Sequence, residues 1–322
     1  MKYLSVCSGI EAATVAWHGL GWNPVGFGEI EKFPSEVLAH HYPDVPNFGD
    51  MTKFKEWNIN GTVGLLVGGT PCQSFSVAGL RKGLEDPRGN LALTYCGILD
   101  HFRPKWFVWE NVPGVLSSNK GRDFGAFLGA VAELGYGFSY RVLDAQYFGV
   151  AQRRRRVFVV GHLGDWRPTA KVLFESESLQ RNIKQSREKR AKTSFGTDNI
   201  VGALCARDYK GISADNAGEG KIIAHAFKIR GGCEGGGKGY LGQDEQAFTI
   251  STVQDQQISN GMAVRRLTPV ECERLQGFPD NYTNIKENCP DGPRYKALGN
   301  SMAVPVMRWI GTRIQMVEDG LI

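Results

Sequence analysis

No two of the seven cysteines (Cys7, Cys72, Cys96, Cys205, Cys233, Cys272 and Cys289) stand in a CxxC pair. An odd, scattered set of this kind argues against both a disulfide framework and a zinc site, so no metal is expected. The chain has no apolar run of about 18 residues, the least a membrane-spanning helix needs. Its N-terminus, MKYLSVCSGI, also lacks the apolar stretch of a secretory signal. A soluble, cytoplasmic protein with no membrane partner is expected. Charge of one sign is not dominant: 38 Lys and Arg against 33 Asp and Glu leave +5. That balance permits a polyanionic partner without demanding one.

What is present is an ordinary globular composition, 42% hydrophobic over 322 residues, long enough for a large domain with a smaller companion. In the first half, short apolar runs alternate with helical patterns. Lys2 to Val6, Pro24 to Glu29, Val63 to Gly69, Trp106 to Asn111, Tyr140 to Ala145 and Arg156 to His162 read as buried strands. Ile10 to Leu20, Phe33 to Tyr42, Asn90 to Phe102 and Gly125 to Gly135 read as helices. This rhythm predicts a doubly wound α/β sheet, whose ligands sit beyond the carboxyl ends of the strands. After about Asp165 the rhythm stops. A basic run (Arg181 to Lys192) and a glycine-rich stretch up to Gly261 suggest a second, smaller, loop-rich domain. The basic run is either a solvated linker or a phosphate contact. Order returns at RRLTPVECERLQGFP (Arg265 to Pro279). There Thr268 and Glu271 form a capping box, Pro269 suits the first helical position and Gly277 supplies the stop. Ser301 to Val317 reads as a terminal amphipathic helix.

Several residues stand where such a fold does chemistry. Cys72, in GGTPCQSFSVAGL, follows a strand that ends near Gly69. A free cysteine is commonly a buried hydrophobe, but Thr70, Gln73, Ser74 and Ser76 make this loop too polar for a core. Glu110 and Asn111 close another strand, where low-dielectric surroundings would raise the pKa of the carboxyl; a helix N-terminal carboxylate is the plainer alternative. In QRRRR, Arg154 and Arg156 share one face if the strand begins early. The first turn, CSGIEAA, has one glycine and so is not a dinucleotide fingerprint. Glu29 lies about 20 residues on, the spacing at which an acidic side chain takes a ribose hydroxyl. Asp50 could line the same pocket.

PCQSFS with the following GLRKGLEDPRGNL, then ENV, QRRRR, RLTPVECERLQGFP and GNS (Gly299 to Ser301), resemble the motifs of the DNA (cytosine-5)-methyltransferases in order and approximate spacing. The overall flavour is similar to phage, prophage or bacterial members. The resemblance implies a Rossmann-like methyltransferase sheet that uses S-adenosylmethionine, yields S-adenosylhomocysteine and acts on a cytosine flipped out of double-stranded DNA. It assigns 1–170 and 293–322 to the catalytic, cofactor-binding domain and 171–292 to target recognition and a hinge. By the same resemblance Cys72 is the nucleophile that adds to the ring. Glu110 holds or protonates ring nitrogen 3, Arg154 and Arg156 support the base, and Asn111 orients the glutamate and the cysteine loop. The cofactor would meet Cys7, Ser8, Gly9, Ile10, Glu29, Ile30, Asp50, Met51, Pro71, Asn300 and Ser301, and DNA would meet Gln73, Ser74, Ser76 and Arg88. The expected protein is a monomer, with a cognate restriction endonuclease as a further partner.

This sequence departs from the family pattern in its first turn, where Glu11 and Ala12 stand at glycine positions and Cys7 at an aromatic one. Two other readings are an RNA cytosine methyltransferase of the same fold and a lapsed methylase that only binds DNA. Gln73 after the cysteine and the sizeable variable region favour DNA; retention of Cys72 and Glu110 favours activity.

Overall fold

The computed structural model describes residues 1–70, 91–175, 225–229, 240–244, 247–248, 256–259 and 264–322, giving only the backbone between 225 and 265. Pro71, Cys72, Gln73, Ser74, Ser76, Arg88, the basic run 181–192 and the glycine-rich 230–239 lie outside the described residues.

The first unit alternates strands and helices: β1 (Lys2–Val6), α1 (Ala12–Trp17), β2 (Asn23–Gly28), α2 (Lys32–His41), β3 (Leu65–Gly68), α3 (Leu91–Phe102), β4 (Trp106–Asn111), α4 (Arg122–Glu133), β5 (Tyr136–Asp144), β6 (Arg155–Leu163) and α5 (Arg167–Leu173). Three more helices, α6 (Pro269–Gln276), α7 (Asp291–Asn300) and α8 (Val304–Glu318), complete it. The sheet order is β2-β1-β3-β4-β6-β5. The first four strands run parallel, and β6 is antiparallel to both its neighbours.

This topology positions the site. Four parallel strands place Cys7, Glu29, Gly69 and the pair Glu110–Asn111 along one edge of the sheet. Because β6 runs the opposite way, with Val157 opposite Asn111, its arginine-bearing start comes to that same edge. β1, β3 and β4 are buried along almost their whole length, and β2 over its second half, because helices cover both faces. On one face Leu66, Phe107 and Trp109 pack with Tyr95, Ile98, Phe127 and Val131 of α3 and α4. On the other, Trp17 of α1 donates its indole N–H to the Met307 carbonyl of α8 at 2.7 Å. Gly311 makes that docking possible, since a Cβ there would collide with Trp17 Nε1.

Differences from the expected elements have local causes. α1 gives way at His18–Leu20 to a 3₁₀ turn that Gly21 ends at φ 68°. β5 begins at Tyr136, four residues before the expected Tyr140, because Gly135 at φ 83° turns α4 directly into the strand. α5 and α7 were not expected. In α7, Gly292 and Pro293 break the helical pattern on paper, but both lie in the first turn, where a missing N–H leaves no bond unmade. Thr268–Ile322 packs as part of the first unit, so the chain rejoins the sheet at Thr268 and not at the expected 293. The capping box is formed: Glu271 accepts from Thr268 N at 2.7 Å, Thr268 Oγ1 accepts from Glu271 N at 3.3 Å, and Gly277 closes α6 at φ 80°.

The second unit includes an antiparallel sheet of β7 (His225–Ile229), β8 (Tyr240–Asp244), β9 (Gln256–Ser259) and β10 (Val264–Arg266), in the order β10-β9-β7-β8. The sequence reads as loop here because glycine-rich segments dilute the two-residue alternation of short strands. Among the described residues no helix is long and apolar enough to cross a membrane.

Candidate active site

A cleft opens at the carboxyl edge of the sheet, lined among others by Cys7, Ser8, Gly9, Glu11, Gly69, Glu110, Asn300 and Ser301. Its floor is the turn after β1. Cys7, Gly9 and Glu11 all have positive φ, 48°, 56° and 63°. Alternate residues in this left-handed region fold the backbone back on itself, which costs little at glycine and more at the other two. Hydrogen bonds hold the turn: Ser8 Oγ donates to Ser5 O at 3.0 Å and accepts from Gly28 N at 3.2 Å. Glu29, at the end of β2, accepts from Gly9 N and from Glu31 N, each at 2.7 Å. The expected ribose ligand thus borders the turn and retains lone pairs for hydroxyl donors.

The other residues expected to meet the cofactor divide into two groups. Asn300 and Ser301, at the end of α7, reach the cleft from the far end of the sequence. Ile30 is 74% exposed just beyond Glu29, an apolar surface free to cover a flat ring. Ile10 instead points into the core, and its carbonyl accepts from Tyr282 Oη at 2.9 Å. Asp50 caps the 3₁₀ turn Met51–Glu56 by accepting from Thr52 N at 2.9 Å. Met51 is buried, with its Sδ 3.4 Å from Cys7 Sγ. Burial, and then the neighbouring Glu29 charge, push the Cys7 thiol up to about 12, so Cys7 stays protonated and unreactive at neutral pH.

At the other side of the cleft, all six residues of β4 are buried. Glu110 ion-pairs with Arg156, Nε to Oε1 at 3.0 Å. Burial raises the Glu110 pKa, against the opposing pull of Arg156 and Arg154. The alternation expected in QRRRR is present: Gln152 and Arg154 are buried, Arg153 and Arg155 exposed, and Arg156 in between. The structure gives the two candidate arginines different partners. Arg156 meets Glu110, while Arg154 Nη2 donates to the carbonyls of Gly299 at 3.1 Å and Ser301 at 2.6 Å. Burial, then the charge of Arg156, draw Arg154 down to about 9, so it remains a cation at neutral pH.

Asn111 links the two halves. Its Nδ2 donates to the Thr70 carbonyl at 2.9 Å, and its Oδ1 accepts from Val112 N at 2.8 Å. Trp109 Nε1 donates to Thr70 Oγ1 at 3.0 Å. Thr70 stands two residues before Cys72 in the chain.

Sequence reasoning missed a second polar cluster. Glu273 is fully buried and accepts from Asn281 N at 2.7 Å, Thr283 N at 2.9 Å, Thr283 Oγ1 and Arg294 Nη2 at 3.3 Å. The adjoining Tyr282 stacks on His41, with ring centroids 4.0 Å apart, and bonds the turn after β1 through Ile10. The charged residues of ECERLQ and GPRYK gave no hint that they pair, since the partners lie far apart in sequence.

The family model described as C-5 cytosine-specific DNA methylase matches residues 1–316. A protein of Escherichia phage P1 named DNA N-6-adenine-methyltransferase is 37% identical over 97% of this chain, which spans only 61% of that relative. The type II methyltransferase M.SsoII of Shigella sonnei is 30% identical, with 99% of this chain and 81% of that protein covered. The crystal structure of S. pombe Dnmt2 superposes at a TM-score of 0.63 with 19% identity, covering 98% of this chain and 99% of that one, a likeness of fold.

Proposed function

The chain belongs to the C-5 cytosine-specific DNA methylase family, and from that we propose that it transfers a methyl group from S-adenosylmethionine to carbon 5 of cytosine in duplex DNA. Enzymes of this family depend on that cofactor, which supplies when bound a methyl group made electrophilic by its sulfonium. The cleft suits it: Glu11 and Glu110 line it, no basic side chain does among the described residues, and Glu29 offers a hydroxyl acceptor at its edge. Cys7, Ser8, Gly9, Glu29, Ile30, Asn300 and Ser301 are the residues that would hold it. Pro71, beside the nucleophile, would border the same cleft.

Carbon 5 of cytosine is a poor nucleophile, and the chain's residues answer that problem. The Cys72 thiolate adds to carbon 6, forming the sulfur–carbon bond and pushing electrons toward carbon 5, which takes the methyl. Carbon 5 then loses its proton, the bond to sulfur breaks, and the thiolate leaves. Glu110, kept protonatable by burial, donates to ring nitrogen 3 as charge builds there; Arg156 fixes the carboxyl and Arg154 fixes the end of α7, where Asn300 and Ser301 stand. Because a paired base hides carbon 6, the cytosine must leave the stack, at a cost of roughly a few kcal/mol. Gln73, Ser74, Ser76 and Arg88 would contact the DNA around it.

The observation that carries this reading is the buried Glu110, paired with Arg156 beside Asn111, whose amide grips the backbone two residues before Cys72. The name of the phage P1 relative raises adenine N6 as an alternative target. An exocyclic amine attacks with its own nitrogen and requires neither a thiol added to the ring nor a paired acid at a ring nitrogen, so this residue set favours cytosine. The purified protein should transfer labelled methyl to duplex DNA, recovered on digestion as 5-methylcytosine, and Cys72→Ala should abolish transfer. It should also be captured covalently by DNA bearing 5-fluorocytosine, whose fluorine cannot leave as a proton does. Recovery of N6-methyladenine, preference for RNA over DNA, or an active Cys72→Ala protein would overturn the reading.

A further inference from the structure

Glu11 is 1% exposed yet lines the cleft. Its oxygens accept from Ser5 Oγ at 2.8 Å and Thr14 N at 3.2 Å, both neutral donors. None of the charged and titratable groups around it is a cation: Glu29 at the end of β2 adds negative charge, while Tyr3 on β1, Tyr42 after α2 and Tyr282 before α7, their phenols pushed up by burial, stay neutral. Across the cleft stands Glu110, whose own charge is opposed by Arg156. The α7–α8 junction contributes Asn300, Ser301 and Met302, none of them charged. A buried carboxylate with no opposite charge is costly, and this one sits in a backbone conformation, φ 63°, that favours glycine.

We propose that Glu11 is a charge-matching residue of the cofactor cleft, whose carboxylate opposes the positive charge that S-adenosylmethionine carries and S-adenosylhomocysteine lacks. The proposal rests on the cleft being the cofactor site. Burial raises the Glu11 pKa to about 7, so near neutral pH the group is free to ionise when a cation arrives and to take up a proton from water when a neutral product remains. Glu11 then strengthens the hold on the methyl donor and loosens the hold on the spent product.

Calorimetric titration of the full chain with each cofactor form, at pH 6 and pH 8, tests this. With an ionisation near 7, the ratio of S-adenosylmethionine to S-adenosylhomocysteine affinity should rise about tenfold between the two pH values. The ratio cancels titration of the amino group that both ligands share. In Glu11→Gln the ratio should be flat and no higher than the wild-type value at pH 6. Glu11→Gly, which suits the positive φ, should behave the same way and guards against misfolding of the glutamine variant. Wild-type protein should also release a fraction of a proton on binding S-adenosylmethionine at pH 7 and none on binding the product, read from buffers of different ionisation enthalpy. A pH-independent wild-type ratio, or an unchanged pH dependence in both variants, would overturn the charge-matching role alone. Failure of the wild type to bind either ligand would overturn the cofactor site with it.

Discussion

Replacing Asn111 with alanine separates the chemistry of the cleft from its stability. The side chain makes two hydrogen bonds, to the Thr70 carbonyl and from Val112 N. Val112 is 38% exposed, so water can replace the partner of its N–H. Thr70 is 4% exposed, and its carbonyl would be left buried without that donor. One unsatisfied buried group costs about 1–3 kcal/mol, the expected loss in urea denaturation. The functional loss should be larger in proportion. Thr70 leads through Pro71 to Cys72, and a shift of about 1 Å in a reacting group lowers the rate about 100-fold. Asn111 is not part of the cleft lining, so affinity for S-adenosylmethionine should hold while kcat and the rate of 5-fluorocytosine capture fall together. Asn111→Asp should be no better, because a carboxylate has no proton to give the Thr70 carbonyl. An Asn111→Ala protein that loses stability as expected but captures DNA at the wild-type rate would refute the link between Asn111 and the nucleophile.

Two further outcomes follow from the buried charges. Glu110→Gln should lower kcat by about 10²–10⁴, the usual worth of a positioned acid. Since burial raises the Glu110 pKa, the wild-type acid persists to higher pH than an ordinary glutamate, and the pH–rate profile should fall on the alkaline side of that ionisation; the variant should lack that limb. Arg294→Met removes the bonds to Glu273, Thr283 and Asp291 and leaves Glu273 buried with its charge opposed only by neutral donors. Breaking such a pair costs about 3–5 kcal/mol, measurable by urea denaturation, and a loss under about 1 kcal/mol would show that the network is not a unit.

The strands that carry the site were legible because their physics is local. An apolar run such as WFVW, ended by Glu110 and Asn111, has one sensible place in a covered parallel sheet, and Thr268, Pro269, Glu271 and Gly277 declare a helix through backbone bonds within a few residues. What was not legible depends on pairing across the chain. Nothing near Arg154 announces that it grips the carbonyls of Gly299 and Ser301, so it reads as the equal of Arg156 in sequence and differs from it in space. Glu11 appeared only as a residue in a glycine's place, and its burial and lack of a cation emerge once β1, β2 and α2 surround it. Nothing beside Asp50 in the sequence announced that it caps the 3₁₀ turn after it, accepting from Thr52 N.

The segment from Thr268 to Ser301 explains how the chain can leave the sheet for a long excursion and return without disturbing the cleft. Gln152, ahead of β6, donates to the Leu275 carbonyl, and Gln276 donates to the carbonyl of Leu298. Arg154 holds the end of α7, Glu273 gathers Thr283 and Arg294, and Tyr282 reaches the turn after β1 through Ile10. These bonds run from the turn after β1 to Arg154 before β6, and none of them involves a residue between Phe174 and Leu267. Both ends of the excursion, Leu173 and Thr268, are therefore anchored in the sheet unit.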